Sequence, residues 1–391
     1  MQAVKRAGAQ DLWIALGLSL APAVSNGIGR FAYALILPAM RSDLAWSYTQ
    51  AGWVNTANAL GYLLGAVLMT RLVPRIGSHR LFAAGMVGTT LTVLASGLVR
   101  SYAALLLLRL GAGIAGAFAF IAGGVLVSEL FATRPGRAAA GIALYFGGGG
   151  FGILLPGVTL PWLFAAHGPR GWSLAWVGLG MLSAALCIPS LIAAARVPRF
   201  QSAVASARWR KWPLAASLAA YFLFAVGAIV YMTFIIAWMR DRGAGAAEVA
   251  TMWGLLGLAI ALSPLAWRAA LTRWRGGWTL AAAMAACAGG AAIPLASTAL
   301  PAMIASAILF GGAFFIPPAA VTEIARRSVS REALGSALAT YTVAFGAGQP
   351  LGPLVAGAIA DATGTLFSGL FAAVLMMILA ATLATLQRDS G

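Results

Sequence analysis

The sequence predicts an all-α integral membrane protein with twelve transmembrane helices in two parallel six-helix bundles. Three observations support this fold class. Of 391 residues, 61% are apolar and only 9% are charged, and the apolar residues form long runs. The second half of the chain also repeats part of the first. A soluble chain of this length would carry about 25% charged residues, so an ordinary soluble fold is excluded.

A helix that crosses the hydrocarbon core of a bilayer needs about 20 apolar residues. The first such run follows Lys5 and Arg6, as the core of a signal peptide would. It continues well past the length of a signal core, and another run follows at once, so we expect it to be retained. With breaks at Arg, Gly, Pro or Trp between them, the twelve runs are 12–39, 50–70, 80–99, 102–127, 138–164, 172–195, 213–239, 248–267, 277–297, 301–324, 333–359 and 364–386.

The basic residues predict the orientation of these helices. The chain has 26 Lys and Arg against 9 Asp and Glu, a net charge of +17. On the twelve-helix scheme, 19 of the basic residues lie at the N-terminus and in the loops after even-numbered helices, and five lie in the opposite loops. The positive-inside rule then places both termini in the cytoplasm. Membrane topology accounts for the positive charge, so we expect no nucleic acid as a partner. The expected partners are the lipid bilayer and a small-molecule substrate.

An internal repeat predicts the two bundles. A shift of 194 residues places Glu129 on Glu323, Arg137 on Arg331 and Pro156 on Pro350 without a gap. Six runs separate the copies, so the copies keep the same orientation and form a parallel repeat. We therefore expect an N-terminal bundle at 1–195, a cytoplasmic linker at 196–212 and a C-terminal bundle at 213–391. We also expect a monomer.

Two parallel six-helix halves with a basic central loop resemble the major facilitator superfamily. The loop RLVPRIGSHR (71–80) is similar to that superfamily's Gly-x-x-x-Asp-Arg-x-Gly-Arg-Arg loop, with Arg75 and Gly77 matching and Pro74 where an acid is usual. Residues 109–113 resemble its Arg-x-x-x-Gly start of helix four. This resemblance implies a transporter that works by rocker-switch alternating access, and it implies a structural or coupling role for Arg109.

Four further segments resemble the bacterial YbfB/YjiJ-type branch of this superfamily. They are NGIGRFAYALILP (26–38), GYLLGA (61–66), YFLFAVGAIVY (221–231) and FGAGQPLGP (345–353). The resemblance covers nearly the whole chain and implies the fold and a transport role rather than a particular ligand. It also implies a place in the cytoplasmic (inner) membrane of a bacterium.

Arg30 is the candidate substrate ligand with the strongest argument. It lies about 27 Å along the first helix from Leu12 and about 15 Å from Met40, too far for its charge to reach either membrane surface. On an α-helix, Asn26 and Tyr33 share its face. A guanidinium between an amide and a phenol can hold a carboxylate or phosphate with two hydrogen bonds. The alternative is a structural arginine that caps carbonyl groups or pairs with a neighbouring helix.

Other polar residues within the predicted helices are candidates for the same substrate site. In helix two, Asn58 and Tyr62 share a face with Asn55, and they fit either a hydrated cavity wall or helix–helix hydrogen bonding. In the second half, packing and interfacial anchoring compete with substrate binding for four candidates, namely Tyr221, Tyr231, Tyr341 and Gln349.

Gating or coupling is predicted at the cytoplasmic helix ends. Glu129 and Glu323 occupy equivalent positions in the repeat, each eight residues before an arginine, Arg137 or Arg331. Carboxylates beside loop arginines predict gating salt bridges, with Arg75 or a neighbouring loop arginine as the expected partner of Glu129. Proton carrying by these acids is the alternative interpretation.

Enzymatic function is not expected. The sequence has no His-Glu-x-x-His motif, no clustered acids and no Walker motif, so no catalytic residue, metal or cofactor is predicted. Two transport functions remain open. Arg30 favours a carrier for a small organic anion. A Met- and Phe-rich lining favours an efflux carrier for amphipathic drug-like compounds.

Overall fold

The structure is a computed structural model that describes residues 2–131, 135–198 and 212–388, without the side chains of 2–10, 135–140 and 331–332. Every regular element in these ranges is a helix. The chain divides into two compact units: Met1–Asp43 with Ala57–Gln201, and Leu44–Thr56 with Ser202–Gly391. Residues 44–56, which the sequence assigned to the N-terminal bundle, group with the second unit. Most of the predicted linker, 199–211, lies outside the described residues, and its role stays a prediction.

In chain order, the first seven α-helices of the described residues are α1 (Gln2–Pro22), α2 (Tyr33–Asp43), α3 (Tyr48–Ile76), α4 (Ser78–Ser96), α5 (Tyr102–Leu130), α6 (Pro135–His167) and α7 (Trp172–Ala195). The next nine are α8 (Ala215–Asp241), α9 (Ala246–Ala266), α10 (Arg268–Arg273), α11 (Trp278–Ala296), α12 (Leu300–Phe314), α13 (Ile316–Ser328), α14 (Arg331–Gly348), α15 (Leu351–Thr363) and α16 (Leu366–Thr385).

In the part of the chain that the structure describes, eleven helical segments are long and apolar enough to cross a membrane. The helix at the place of the predicted third span, α4, is 19 residues long and begins with Ser78, His79 and Arg80, so its apolar stretch is shorter than the others. Large apolar side chains are exposed along the helices, among them Leu107 at 69% and Met181 at 66%. Such side chains are expected where helices face lipid rather than water. The chain is therefore a multi-pass membrane protein.

The first predicted span is not a continuous α-helix. Between α1 and α2 the chain forms a π-helix, Ala23–Phe31, whose nine residues are all buried. Its wider turn is seen in the bond from the Ala32 N–H to the Gly27 carbonyl, five residues earlier, at 2.9 Å. π-helices are rare, and they occur mostly as short segments at functional sites.

Proline accounts for two further breaks, both in the second unit. The predicted span 301–324 is divided between α12 and α13 at Phe315, and Pro317 stands at the start of α13. The predicted span 333–359 is divided between α14 and α15 next to Pro350. Proline has no N–H group to donate and its ring clashes with the preceding turn, so a helix bends or restarts at these positions.

Each unit packs its helices around its own core. In the first unit, α4 packs on α5 and α7, and α1 packs on α6 and α7. The π-helix contacts α5 and α6, which places it inside this unit. In the second unit, α8 packs on α16, α11 packs on α12 and α16, and α12 packs on α9.

Candidate functional site

Two buried arginines mark the interior of the first unit. Arg30 lies on the π-helix and is 6% exposed, and Arg109 lies on α5 and is 1% exposed. The Arg30 Cζ lies 5.5 Å from the centre of the Tyr62 ring and 5.4 Å from that of Phe31. Neighbouring turns of α3 link the two arginines: Tyr62 lies over Arg30, and Asn58, four residues earlier, contacts the Arg109 backbone. We call this cluster the two-arginine site.

Aromatic rings cover the guanidinium of Arg109. Its Cζ lies 5.6 Å from the centre of the Tyr33 ring and 5.0 Å from that of Trp176 on α7. The sequence placed Tyr33 beside Arg30 on one α-helical face, and in the structure the Tyr33 ring lies over Arg109. Contact of Tyr33 with a substrate stays a prediction.

Close approach of α3 and α5 positions the remaining polar groups of the site. Gly113 on α5 lies against the Asn58 backbone, where an added Cβ would come 2.0 Å from the Asn58 carbonyl oxygen. Gly61 on α3 is equally close to the carbonyl of Leu110. Small residues let helix backbones meet in this way. As a result the Asn58 side chain donates a hydrogen bond to the Arg109 carbonyl at 3.2 Å, and Tyr62 is brought over Arg30.

The three acids of the first unit either bind other groups or lie far along a helix from the arginines of the site. This unit contains three acids, Asp11, Asp43 and Glu129. Asp43 binds Arg100 at 2.7 Å and accepts from Trp172 Nε1 at 2.8 Å. Asp11 is 19 residues from Arg30 and Glu129 is 20 residues from Arg109, which is about 30 Å along a helix in each case.

The predicted substrate residues of the second unit are engaged in packing. The Tyr231 hydroxyl is 2.6 Å from Ser306 Oγ, and its ring stacks on Phe310 with centres 4.0 Å apart. The Tyr341 hydroxyl is 2.5 Å from Ser217 Oγ. Tyr221 stacks on Phe345 at 4.6 Å, and Gln349 is 1% exposed. These contacts favour packing, and substrate binding by Tyr221, Tyr231, Tyr341 and Gln349 stays a prediction.

Polar residues near the start of α3 also form internal contacts in the second unit. Asn55 donates a hydrogen bond to Thr233 Oγ1 at 2.6 Å. The carboxylate of Asp361 accepts from the backbone N–H groups of Tyr48 and Thr49, each at 2.8 Å. For Asn55 the helix–helix hydrogen bond, one of the two interpretations from the sequence, is therefore the one observed. Asp361 satisfies otherwise unpaired N–H groups at the start of α3.

The predicted gating acids have different surroundings. Glu323 binds two arginines of its own helix, Arg326 and Arg327, each at 2.7 Å. Of the charged groups around Glu129, His79 acts on its carboxylate. None of the described arginines forms an ion pair with Glu129. Arg75 is exposed. The side chains of Arg137 and Arg331 lie outside the described residues, so gating by these groups stays a prediction.

Trp176 is the residue of the site that sequence reasoning missed. It is fully buried, and its indole N–H points to the Met40 sulfur at 3.5 Å while its ring faces Arg109. Trp172 and Trp176 are spaced like one face of a helix, but nothing in that spacing identifies an arginine on a different helix as the partner. Asn26, the other predicted neighbour of Arg30, is buried on the π-helix at 6% exposure.

Relatives in sequence are export and resistance proteins. The chain is 28% identical over 227 residues to the cephamycin export protein CmcT of Amycolatopsis lactamdurans, covering 57% of this chain and 43% of that protein. It is 31% identical over 133 residues to the puromycin resistance protein pur8 of Streptomyces alboniger, covering 33% of this chain and 26% of that protein. The matched region spans less than half the length of either relative.

Solved structures of transporters share the fold. A bacterial homologue of the human lysosomal transporter Spinster, inward-facing and occupied, has a TM-score of 0.74 at 18% identity, with 96% of each chain covered. The nucleoside transporter NupG has a TM-score of 0.73 at 13% identity, with 96% of this chain and 99% of that chain covered. These likenesses confirm the predicted fold class and carry no information about the substrate.

The family assignment rests on a match along nearly the whole chain. The family model described as "Uncharacterised MFS-type transporter YbfB" matches residues 22–385, which include both units and the two-arginine site. Its members are transporters rather than enzymes. The chain therefore belongs to the YbfB-type family of major facilitator superfamily transporters.

Proposed function

We propose that this transporter carries a small organic anion and that Arg30 is its principal ligand. The observation that carries the proposal is a guanidinium buried in a π-helix, in a unit whose three acids are engaged or distant. A buried charge inside a membrane protein is costly and is retained where it has a function. A transported anion would compensate that charge during each cycle.

The chemistry around Arg30 suits a carboxylate or a phosphate. The planar guanidinium can donate two parallel hydrogen bonds to either group. The rings of Tyr62 and Phe31 lie beside it and exclude water from one side. Hydrogen bonds and charge attraction are stronger in such an environment than in water.

The proposal is tested with two Arg30 variants. Their transport is measured in proteoliposomes, and their ligand binding is measured in detergent. We expect Arg30→Gln to abolish anion transport while the protein still inserts and stays monodisperse. Arg30→Lys keeps the charge but loses the planar fork, so anion binding should weaken by about 1–3 kcal/mol. The probes are benzoate, succinate and phenyl phosphate, and the readouts are thermal stabilisation and uptake.

A matched control is Arg170→Gln, which removes the same charge from a side chain that is 90% exposed. It should leave transport and binding near the wild-type level. Anion transport at the wild-type level in a well-folded Arg30→Gln variant would refute the anion carrier. Equal loss of stability in both Arg30 variants, without selective loss of anion binding, would make Arg30 a structural residue.

A second candidate function is efflux of amphipathic drug-like compounds. It is favoured by the two sequence relatives, one named for cephamycin export and one for puromycin resistance. The second unit also contains a chain of buried aromatic rings, in which Phe310 and Phe314 stack with centres 5.3 Å apart. Puromycin in the same binding panel separates the two functions: stabilisation by puromycin but by none of the anions would favour efflux. For either substrate class we propose export as the direction.

We also propose alternating access of the rocker-switch type, in a monomer in the bacterial cytoplasmic membrane with both termini in the cytoplasm. The support is the family and the distribution of basic residues along the chain. Cysteine labelling of intact cells, in a variant without Cys187 and Cys287, tests the orientation. A cysteine at Thr298 should react with a membrane-impermeant reagent, and a cysteine at Ala205 should not. The reverse result would overturn this topology.

A further inference from the structure

Arg109 is the least compensated charge among the described residues. Its side chain is 1% exposed, and none of its three guanidinium nitrogens has a hydrogen-bond partner. The hydrogen bond from Asn58 goes to the Arg109 carbonyl and leaves the side chain unsatisfied. The rings of Tyr33 and Trp176 attract the charge, but they accept no conventional hydrogen bond from it.

This arrangement is unfavourable for an arginine with a purely structural role. A structural arginine in a membrane interior normally donates to carbonyl oxygens or pairs with an acid. A buried charge without either partner is costly, and buried polar groups without partners are rare in folded proteins. The donors of Arg109 are therefore available to a ligand.

Arg30 makes the charge of Arg109 more costly still. Residues one turn apart on α3 contact each arginine, so two like charges are buried close together in the same unit. A ligand with one negative charge can neutralise only one of them. A ligand with two negative charges removes both the unpaired charge and the repulsion, so its binding gains more than a second isolated contact would give.

We propose that Arg109 is a second cationic ligand of the two-arginine site, and that the preferred substrate carries two negative charges, as a dicarboxylate or a phosphate monoester does. This rests on the proposed function, because it takes Arg30 as the first ligand of a transported anion. It assigns Arg109 a different role from the structural or coupling one that the family resemblance implies. The aromatic rings around both arginines would pack against the carbon skeleton of the substrate.

The experiment compares anions that differ by one charge and little else. Succinate is compared with monomethyl succinate, and phenyl phosphate with methyl phenyl phosphate, at pH 8 and constant ionic strength. The binding of each to purified full-length protein is measured by thermal shift and by calorimetry. We expect the wild type to bind the doubly charged member of at least one pair about tenfold more tightly, or better.

The variant Arg109→Met should remove this preference. Binding of the doubly charged anion should fall about tenfold, to the level of its singly charged partner, whose binding through Arg30 should change little. Arg109→Lys should keep part of the preference because it keeps the charge. Chloride at equal ionic strength controls for a nonspecific salt effect.

Different experimental outcomes would overturn different parts of the proposal. Equal binding of both members of each pair by the wild type, or an unchanged preference in Arg109→Met, would overturn the role of Arg109 and leave Arg30 as an anion ligand. Absence of binding by any anion would overturn the proposed function itself. If Arg109→Met does not fold, the wild-type ratios and the Arg109→Lys variant decide the question.

Discussion

The two units of this transporter differ in the hydrogen bonding of their buried polar side chains. In the second unit, hydroxyl and amide groups satisfy one another: Tyr231 contacts Ser306, and Ser217 links Tyr341 to Gln387. In the first unit, the guanidinium of Arg109 is buried without a hydrogen-bond partner among the described residues. The hydroxyl and amide groups named in the second unit thus satisfy one another, whereas the first unit buries a charged group whose donors its fold does not use.

The sequence repeat makes this difference sharper. The shift of 194 residues that aligns the two halves places Met303 at the position of Arg109. Met303 is also 1% exposed, so the same place in the second unit has an apolar side chain that needs no partner. A parallel repeat can keep its fold while the polar function is confined to one copy. We therefore expect the first unit to provide the specific contacts with the substrate.

The largest expected effect is a gain in stability when Arg109 is replaced by methionine, the residue at the equivalent position of the second unit. Arg109→Met gives the first unit the residue of the second and eliminates a buried, uncompensated charge. We expect the ligand-free variant to be more stable by about 1–4 kcal/mol, measured by thermal and denaturant unfolding in detergent. Arg109→Ala, which leaves a cavity, serves as the control and should be less stable than Arg109→Met. A loss of stability in Arg109→Met would show that the arginine supports the fold.

An intermediate effect is expected at the π-helix. A Cβ on Gly27 would lie 2.2 Å from the backbone of Gly152 on α6, so Gly27→Ala forces the π-helix and α6 apart. We expect a loss of about 1–3 kcal/mol in thermal unfolding, together with weaker anion binding because Arg30 is displaced. Gly147→Ala on α6 is the matched control, since nothing lies within 4 Å of its added Cβ. It should be neutral or slightly stabilising; similar behaviour of both variants would contradict the close packing.

The smallest expected effect concerns the second unit. Tyr231→Phe removes one hydroxyl from its contact with Ser306 and leaves the ring stacked on Phe310. We expect a loss of about 1 kcal/mol in stability, with the order of anion affinities unchanged. A selective loss of binding for one anion, at unchanged stability, would instead make Tyr231 a substrate ligand and weaken the contrast between the units.

Much of the fold follows from the sequence, because a bilayer requires long apolar helices. The run 102–127 corresponds to α5, Tyr102–Leu130, and the run 172–195 corresponds to α7. The surroundings of the candidate site can be predicted from the sequence to a much smaller extent. The sequence identified Arg30 and Arg109 as buried, but Trp176 comes from a helix far along the chain. The unsatisfied state of Arg109 depends on which groups are absent around it, and no local pattern records that.

The π-helix has a consequence for how relatives of this protein are aligned. A π-helical turn contains one more residue between bonded groups than an α-helical turn. A relative with one residue fewer between Ala23 and Phe31 could therefore close an ordinary α-helix over the same length of membrane, with both flanking helices unshifted. A one-residue gap inside an apolar helix is usually treated as an alignment error. In this segment it would be a structural difference, and the presence or absence of the extra residue would distinguish relatives that present Arg30 in this way from those that do not.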